Sequence, residues 1–404
     1  MRDAEVVVVG TGAAGLCLAY RLTDPALARR VGVLLVGAPP GELRPADRTW
    51  CYWEEGGGDF DGALTAVWDR LRVRGADGGA PVTVRPGPLR YKMLRSPDLE
   101  RLVAGRLAAA PGARRVTAVV EEVRDDGGGV LVRGRTGDGE AVVWRARWAF
   151  DSRPPKTLPP ARTTLVQHFQ GWFVRSSRAV FDPDTAELMD FRTRQPRHGL
   201  SFGYVLPLGP CEALVEYTEF SAAPLDAEGY HDALDHYLHR VLGTGPVEVT
   251  ATERGAIPMT DGRFPRRAGA SVFRIGTAGG ATRPATGYTF AAVQRQSRAV
   301  AAALAAGRVP VPPPPYPRRA LAMDAVLLRA LDTGRVDGPA LLTGLFRRVP
   351  APRLLRFLDG RTRLAEDIAV GLRTPVPPML RTAVELPLLR RRPPAPYGPC
   401  RGRT

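Results

Sequence analysis

The segment Glu5-Val6-Val7-Val8-Val9-Gly10-Thr11-Gly12-Ala13-Ala14-Gly15 limits the fold more than any other stretch of the chain. Four consecutive valines suit a strand buried on both faces, as in a parallel sheet. Glycines at 10, 12 and 15 permit a tight turn, a close approach of backbone to ligand, and close packing of the helix that follows. Residues 16–22 carry a helical pattern and residues 31–36 a second apolar strand, which completes a βαβ unit. Amides at that helix start face whatever lies over the turn, so Gly10, Thr11, Gly12, Ala13, Ala14 and Gly15 are candidate holders of a dinucleotide pyrophosphate. The plain alternative is a glycine turn with no ligand. Gly37 stands where an acidic residue would hold the ribose, leaving a water or Glu42 as substitutes.

At 404 residues, 44% of them hydrophobic, the chain can bury a large core divided among two or three domains. The formal charge of +16 is carried almost wholly by arginine, since Lys92 and Lys156 are the only lysines. Those arginines are scattered, and no groove-entering or base-stacking motif accompanies them, so nucleic acid is not the expected partner. Attraction to acidic lipid headgroups is the better reading. Cys17, Cys51, Cys211 and Cys400 show no paired spacing, which argues against a zinc site or disulfide framework and for a reducing cytoplasm. No signal peptide fits the N-terminus, and arginines interrupt every apolar stretch short of the ~20 residues of a membrane span. Peripheral contact with a membrane is expected, and no crossing. His231, His236 and His239, with Asp232 and Asp235, match no usual ligand spacing, so no metal is predicted.

Further along, residues 98–110 read as a helix, and 116–123, 130–135 and 141–150 as strands separated by glycine turns. Residues 165–175 and 187–192 also read as strands. Residues 201–208 and 213–220 form a hairpin across Gly209-Pro210-Cys211-Glu212, and residues 230–242 a helix. An alanine-rich helix over 290–306 leads into the stiff proline run 310–315, beyond which residues 318–372 carry helical periodicity. The proline- and arginine-rich end is expected to fray.

Three segments carry candidate chemistry. Trp50, Tyr52 and Trp53 crowd into four residues and form either a core cluster or the wall of an apolar cavity. Asp151 closes the strand series. Gly276, Gly279 and Gly280, with Pro284, Thr286 and Gly287, form a glycine-rich passage before the long helix, whose amides suit a flavin ring or a phosphate; an ordinary strand-to-helix loop is the alternative. In Leu214-Val215-Glu216-Tyr217-Thr218-Glu219-Phe220, strand alternation puts Glu216 and Glu219 on opposite faces. A carboxylic acid on an apolar strand keeps its proton to higher pH and can donate it. Glu216 is thus either a proton donor or a buried structural residue, and periodicity does not say which face meets a cavity.

In order along nearly the whole chain, the strings Gly10 to Gly15, Arg48-Thr49-Trp50, Tyr91 to Arg95, Phe150-Asp151-Ser152-Arg153, Gln167-His168-Phe169-Gln170-Gly171-Trp172, Met189-Asp190-Phe191, Tyr204-Val205-Leu206-Pro207-Leu208, Val215-Glu216, Gly255-Ala256-Ile257-Pro258-Met259, Arg283-Pro284-Ala285-Thr286-Gly287-Tyr288 and Phe357-Leu358-Asp359-Gly360 resemble the lycopene cyclases of the bacterial and plant β-cyclase type. The resemblance implies an α/β fold like that of flavin hydroxylases and geranylgeranyl reductases. It would comprise a discontinuous Rossmann-like FAD-binding domain (1–70, 95–155, 255–308), a β-rich substrate domain (71–94, 156–254), a linker (309–317) and a C-terminal helical region (318–404). It implies reduced FAD, kept so by NADPH or NADH, and a non-redox, acid-catalysed closure of the acyclic ends of lycopene into β-ionone rings. The family's catalytic acid falls on Glu216. A hydrocarbon offers no polar handle, so Trp50, Tyr52, Trp53, Trp172, Tyr204 and Tyr217 become candidate walls of its pocket, where aromatic faces favour a cation.

Two departures stand out: Arg283 where related proteins often carry histidine, and Tyr217 where a second carboxylate often follows the catalytic one. The second implies that Glu216 acts without that adjacent neighbour. The nearest alternative is an FAD-dependent monooxygenase or reductase acting on an isoprenoid lipid. Such monooxygenases usually carry Gly-Asp where this chain has Gly276-Thr277.

Overall fold

A computed structural model of the chain describes residues 2–44 and 46–394; Cys400 and the expected frayed end lie outside the described residues. The N-terminal strand Ala4–Val9 sits inside a seven-stranded mixed sheet. It is parallel to Val33–Gly37 on one side and to Ala141–Asp151 on the other. Val6, Val7 and Val8 are completely buried, as a central strand covered on both faces requires. Ala113–Thr117 and the short Val272–Arg274 add further parallel pairs, while Val119–Asp125 and Val130–Arg135 extend the sheet antiparallel. The expected single strand over 116–123 is two strands, because the chain breaks at Ala118, whose amide bonds Gly37 O. The helices Ala13–Leu22, Ser96–Ala109 and Phe290–Ala305 supply the layer against this sheet.

A second seven-stranded sheet orders its strands Val247–Thr260, Thr164–Ser176, Glu212–Ser221, Leu200–Pro207, Thr185–Asp190, Arg70–Arg74 and Val82–Val84. One face is covered by the Ala227–His236 helix, which continues into a π-helical turn, Tyr237–Leu242, so the expected helix over 230–242 changes winding midway. The other face packs on the C-terminal helices and on a three-stranded sheet of Thr49–Glu55, Leu64–Trp68 and Leu89–Arg95. Val247–Thr260 is continuous, so the expected domain boundary at 255 falls within a strand. The strand Leu89–Arg95, which straddles the boundary drawn at residue 95, pairs on both sides with strands of the 1–70 segment.

The proline run is held in place: Gln296 Nε2 donates to Pro313 O at 2.8 Å, and Arg266 donates to Pro312 O. Among the described residues five α-helices follow it: Arg318–Asp332, Gly338–Arg348, Ala351–Leu358, Leu364–Gly371 and Val376–Glu385. Among the described residues no helix is long and apolar enough to cross a membrane.

Candidate active site

The N-terminal turn has the form a dinucleotide needs. Gly10 takes φ +100°, which disfavours any side chain, and a Cβ at Gly15 would run into the Gly10 carbonyl. At Gly12 the opposite holds: a Cβ would meet nothing within 4 Å, and no side chain caps the amides of the Ala13–Leu22 helix. These amides therefore face open space over the turn, as a pyrophosphate requires. Gly37 also finds its reason, since a Cβ there would press on Thr11 Cγ2 at 2.8 Å. Asp151, expected at the cofactor, gives its carboxylate to Arg153 (Nη2–Oδ2 2.8 Å), while its carbonyl accepts from Ile275 N and ties the strand to the next motif.

That motif is built for close approach. Gly276, Gly280 and Gly287 take φ of +64°, +78° and +70°, and a Cβ at Gly279 would collide with Arg274 O. Beside it, a small cavity is lined by Ala14, Ile275, Gly276, Gln296 and Ser297. Gln296 Oε1 is buried there without a hydrogen-bond partner, and so is Gln167 Oε1, which faces Gly287. Orphaned acceptors beside a glycine cradle fit a cofactor that carries donors. Arg283 points away from this cradle, into the C-terminal helices, where Asp324 receives it (Nη2–Oδ1 3.0 Å).

The acid site lies on the face of the second sheet opposite the Ala227–His236 helix. Gly171 is the cross-strand partner of Glu216 on one side and of Glu253 on the other, so all three residues form a row on one face. With no side chain between them, both glutamates lean over the glycine: a Cβ at 171 would lie 3.3 Å from Glu253 Cγ and 3.6 Å from Glu216 Cβ. Glu216 lacks the adjacent carboxylate, whose place Tyr217 takes, but it has an acidic neighbour across Gly171. The neighbour comes from another strand, at a distance in sequence that no local pattern spans. Thr218 Oγ1 donates to Glu216 Oε1 at 2.6 Å, and Thr49 Oγ1 donates to Glu253 Oε2 at 2.7 Å. Burial, and next the charge of Glu253, push the Glu216 carboxyl up to about 8. Burial also raises Glu253, against the Thr49 hydrogen bond and the guanidinium groups of Arg48 and Arg95.

The aromatic residues divide by face. Tyr204 is the cross-strand partner of Glu216 on the far side from Gly171. Trp53 meets Tyr288 edge-on at 4.6 Å and stacks near Tyr91 at 6.1 Å. Trp50 and Tyr52, one residue out of phase with Trp53, turn instead to Phe290 in the first sheet's helix layer. Trp172 and Tyr217 lie on the reverse face, under the Ala227–His236 helix, where Tyr217 donates to Glu219 Oε2 at 2.7 Å. Four of the six expected pocket aromatics thus do not share the Glu216 face. Sequence reasoning missed Cys51, Tyr91, Glu253 and Tyr288 as site residues, although all but Glu253 stood inside segments already singled out.

Next to Tyr204 and Tyr288 lies a narrow apolar cavity of about 30 Å³. Its floor is Leu200, Phe202 and Phe220 of the same sheet face; its roof is Ala285 and Thr286 of the glycine-rich loop with Leu327, Leu331, Leu341, Leu342 and Leu358 of the C-terminal helices. This apolar cavity, bordered by the glycine-rich loop and by Tyr204, the cross-strand partner of Glu216, suits an apolar occupant.

Among solved structures the chain resembles a geranylgeranyl bacteriochlorophyll reductase-like protein from Thermoplasma acidophilum, at 15% identity and TM-score 0.58 over 95% of this chain and 99% of that one. A flavoprotein/dehydrogenase from Cytophaga hutchinsonii aligns at 10% identity and TM-score 0.63, covering 95% and 99%. The p-nitrophenol 4-monooxygenase from Pseudomonas putida aligns at 15% and 0.56, covering 96% and 98%. These likenesses establish the fold as that of flavin hydroxylases and geranylgeranyl reductases, with a C-terminal helical region. No curated protein matches the sequence. The profile described as lycopene cyclase protein matches residues 5–384, nearly the whole chain, and the chain therefore belongs to the lycopene cyclase family.

Proposed function

We propose that this protein closes the acyclic ends of lycopene into β-ionone rings by acid catalysis, with Glu216 as the proton donor. The observation that carries the reading is the Glu216 carboxyl, held up to about 8, whose cross-strand partner Tyr204 lines the apolar cavity bordered by the glycine-rich loop. At neutral pH that group is mostly protonated, which is what a donor to an alkene must be. Its O–H proton passes to the terminal double bond; the resulting cation is attacked by an internal double bond to close a six-membered ring, and loss of a ring proton ends the reaction without net redox change. Tyr204, Tyr288 and Trp53 present aromatic faces to the cation, each such contact being worth up to ~2 kcal/mol when desolvated. Gly10, Gly12 and Gly15 would hold the pyrophosphate of FAD, and Gly276, Gly280 and Gly287 would admit its ring. When bound and reduced by NADPH or NADH, the flavin supplies electron density that favours a nearby cation.

The substrate resides in lipid, and the C-terminal helices offer a surface for it. Leu364, Ile368 and Leu372 recur every fourth residue, as do Leu380, Val384 and Leu388, and all six are 55% to 81% exposed. Arg361, Arg363, Arg373, Arg381 and Arg390 are exposed around them. Two apolar stripes among cations suit an acidic membrane surface reached from a cytoplasmic location.

Expression in a lycopene-accumulating bacterium tests the function directly. Wild type yields cyclic carotene and Glu216→Gln leaves lycopene unchanged; equal product from both removes Glu216 from its role. Stoichiometric use of oxygen and nicotinamide during turnover would point instead to a monooxygenase.

A further inference from the structure

Glu253 has no part in the reading above, yet its placement is too specific for a spectator. It shares the Gly171 row with Glu216, and its carboxylate accepts from Thr49 Oγ1. The groups facing the pair are few. From the Thr49–Glu55 strand and its approach come Arg48 and Cys51; from Leu89–Arg95 come Tyr91 and Arg95; Tyr204 and Tyr288 close the remaining sides. Burial raises the Cys51 thiol and the Tyr91, Tyr204 and Tyr288 phenols, so all four stay neutral. Among the described residues, the charged groups that bear on the pair are Arg48, Arg95 and the carboxyls themselves.

These charges are not shared evenly. Arg48 and Arg95 bear on Glu253, and Arg95 is fixed over the Phe173 ring at 4.7 Å. Glu216 has the Thr218 hydroxyl and, on its other side, Tyr204 as cross-strand partner. Of two carboxyls that cannot both ionise cheaply, the one with cations beside it takes the charge and the other keeps the proton.

We propose that Glu253 is a positioning residue which, ionised across the bare backbone of Gly171, holds the reactive proton on Glu216. This rests on Glu216 being the donor in the proposed cyclisation. When Glu216 releases its proton to the alkene, two carboxylates face each other over Gly171. Their repulsion favours the return of a proton from the cyclised cation to Glu216, so the O–H bond broken at the first step is remade at the last and no proton is gained or lost.

The test reads the protonated carboxyl itself, by infrared titration of the purified full-length protein, and needs no turnover. Wild type should show a protonated-carboxyl C=O band that persists above neutral pH and is absent in Glu216→Gln. In Glu253→Gln the band should titrate lower by about one pH unit or more. Gly171→Ala, which keeps both acids but inserts a methyl group against Glu253 Cγ and Leu214 Cδ1, should move it the same way. A band titrating at the wild-type pH in both variants overturns the proposal, and so does the lack of a band that Glu216→Gln removes. If the band behaves as expected while wild type makes no cyclic carotene, the cyclase reading fails and the carboxyl pair stands.

Discussion

Arg283 and Asp324 form a buried ion pair that bolts the cofactor loop to the first helix after the proline run. Arg283 Nε lies 3.1 Å from both carboxylate oxygens and Nη2 lies 3.0 Å from one, with neither side chain more than 4% exposed. The same guanidinium donates to Phe357 O and sits over the Tyr316 and Phe357 rings. The loop that borders the apolar cavity and the helices that roof it are thereby one mechanical unit.

Removing one partner should cost more than removing both. Arg283→Met leaves Asp324 as an uncompensated buried charge, at a cost of about 3–5 kcal/mol. Adding Asp324→Leu should restore a large part of that loss. Urea denaturation of the two variants checks the order; a double variant no more stable than Arg283→Met would show that the pair's burial is not what the single change disturbs.

The glycine turn separates folding from cofactor binding. At Gly12 a methyl group meets no protein atom, so Gly12→Ala should unfold at the wild-type temperature yet bind FAD at least ~10-fold more weakly, because the methyl group occupies the approach to the helix amides. Gly15→Ala instead collides with Gly10 O and should lose both stability and flavin. Flavin absorbance of the purified variants, beside their melting curves, separates the two cases.

Glu216 gives stability a dependence on pH of defined sign. Its carboxyl rises from 4.5 to about 8 on folding, so between those values the native state holds a proton that the unfolded chain has released. The contribution is full below this window and is lost as pH climbs through it, at up to about 1.4 kcal/mol per pH unit. Glu216→Gln should therefore gain on wild type in denaturant midpoint as pH rises from 5 to 9. A constant difference would mean that Glu216 ionises normally in the folded protein.

The exposed stripes can be tested without substrate. Ile368→Ser combined with Val384→Ser and Leu388→Ser should cut sedimentation with phosphatidylglycerol vesicles by ~10-fold or more, since each change removes apolar surface from the contact. Salt should weaken the wild-type interaction through the surrounding arginines. Binding that the triple variant retains in full would place the membrane contact elsewhere.

What the chain could announce by itself was local. A valine strand, glycines at 10, 12 and 15, and a helix beginning at once fix a βαβ unit, because strand burial, turn geometry and helix start are decided by adjacent residues. Glu216 was legible too, as an acid on an apolar strand with its faces set by alternation. What required the tertiary structure was everything decided by which strands lie side by side. Glu253 reaches Glu216 only because the Thr164–Ser176 strand inserts a glycine between their two strands. Trp172 and Tyr217 fall on the reverse face because strand phase is set by what packs above and below, and Trp50 parts from Trp53 for the same reason. A sequence carries the period of a strand, but its register and its neighbours are settled by non-local packing, and the proton of Glu216 depends on a neighbour.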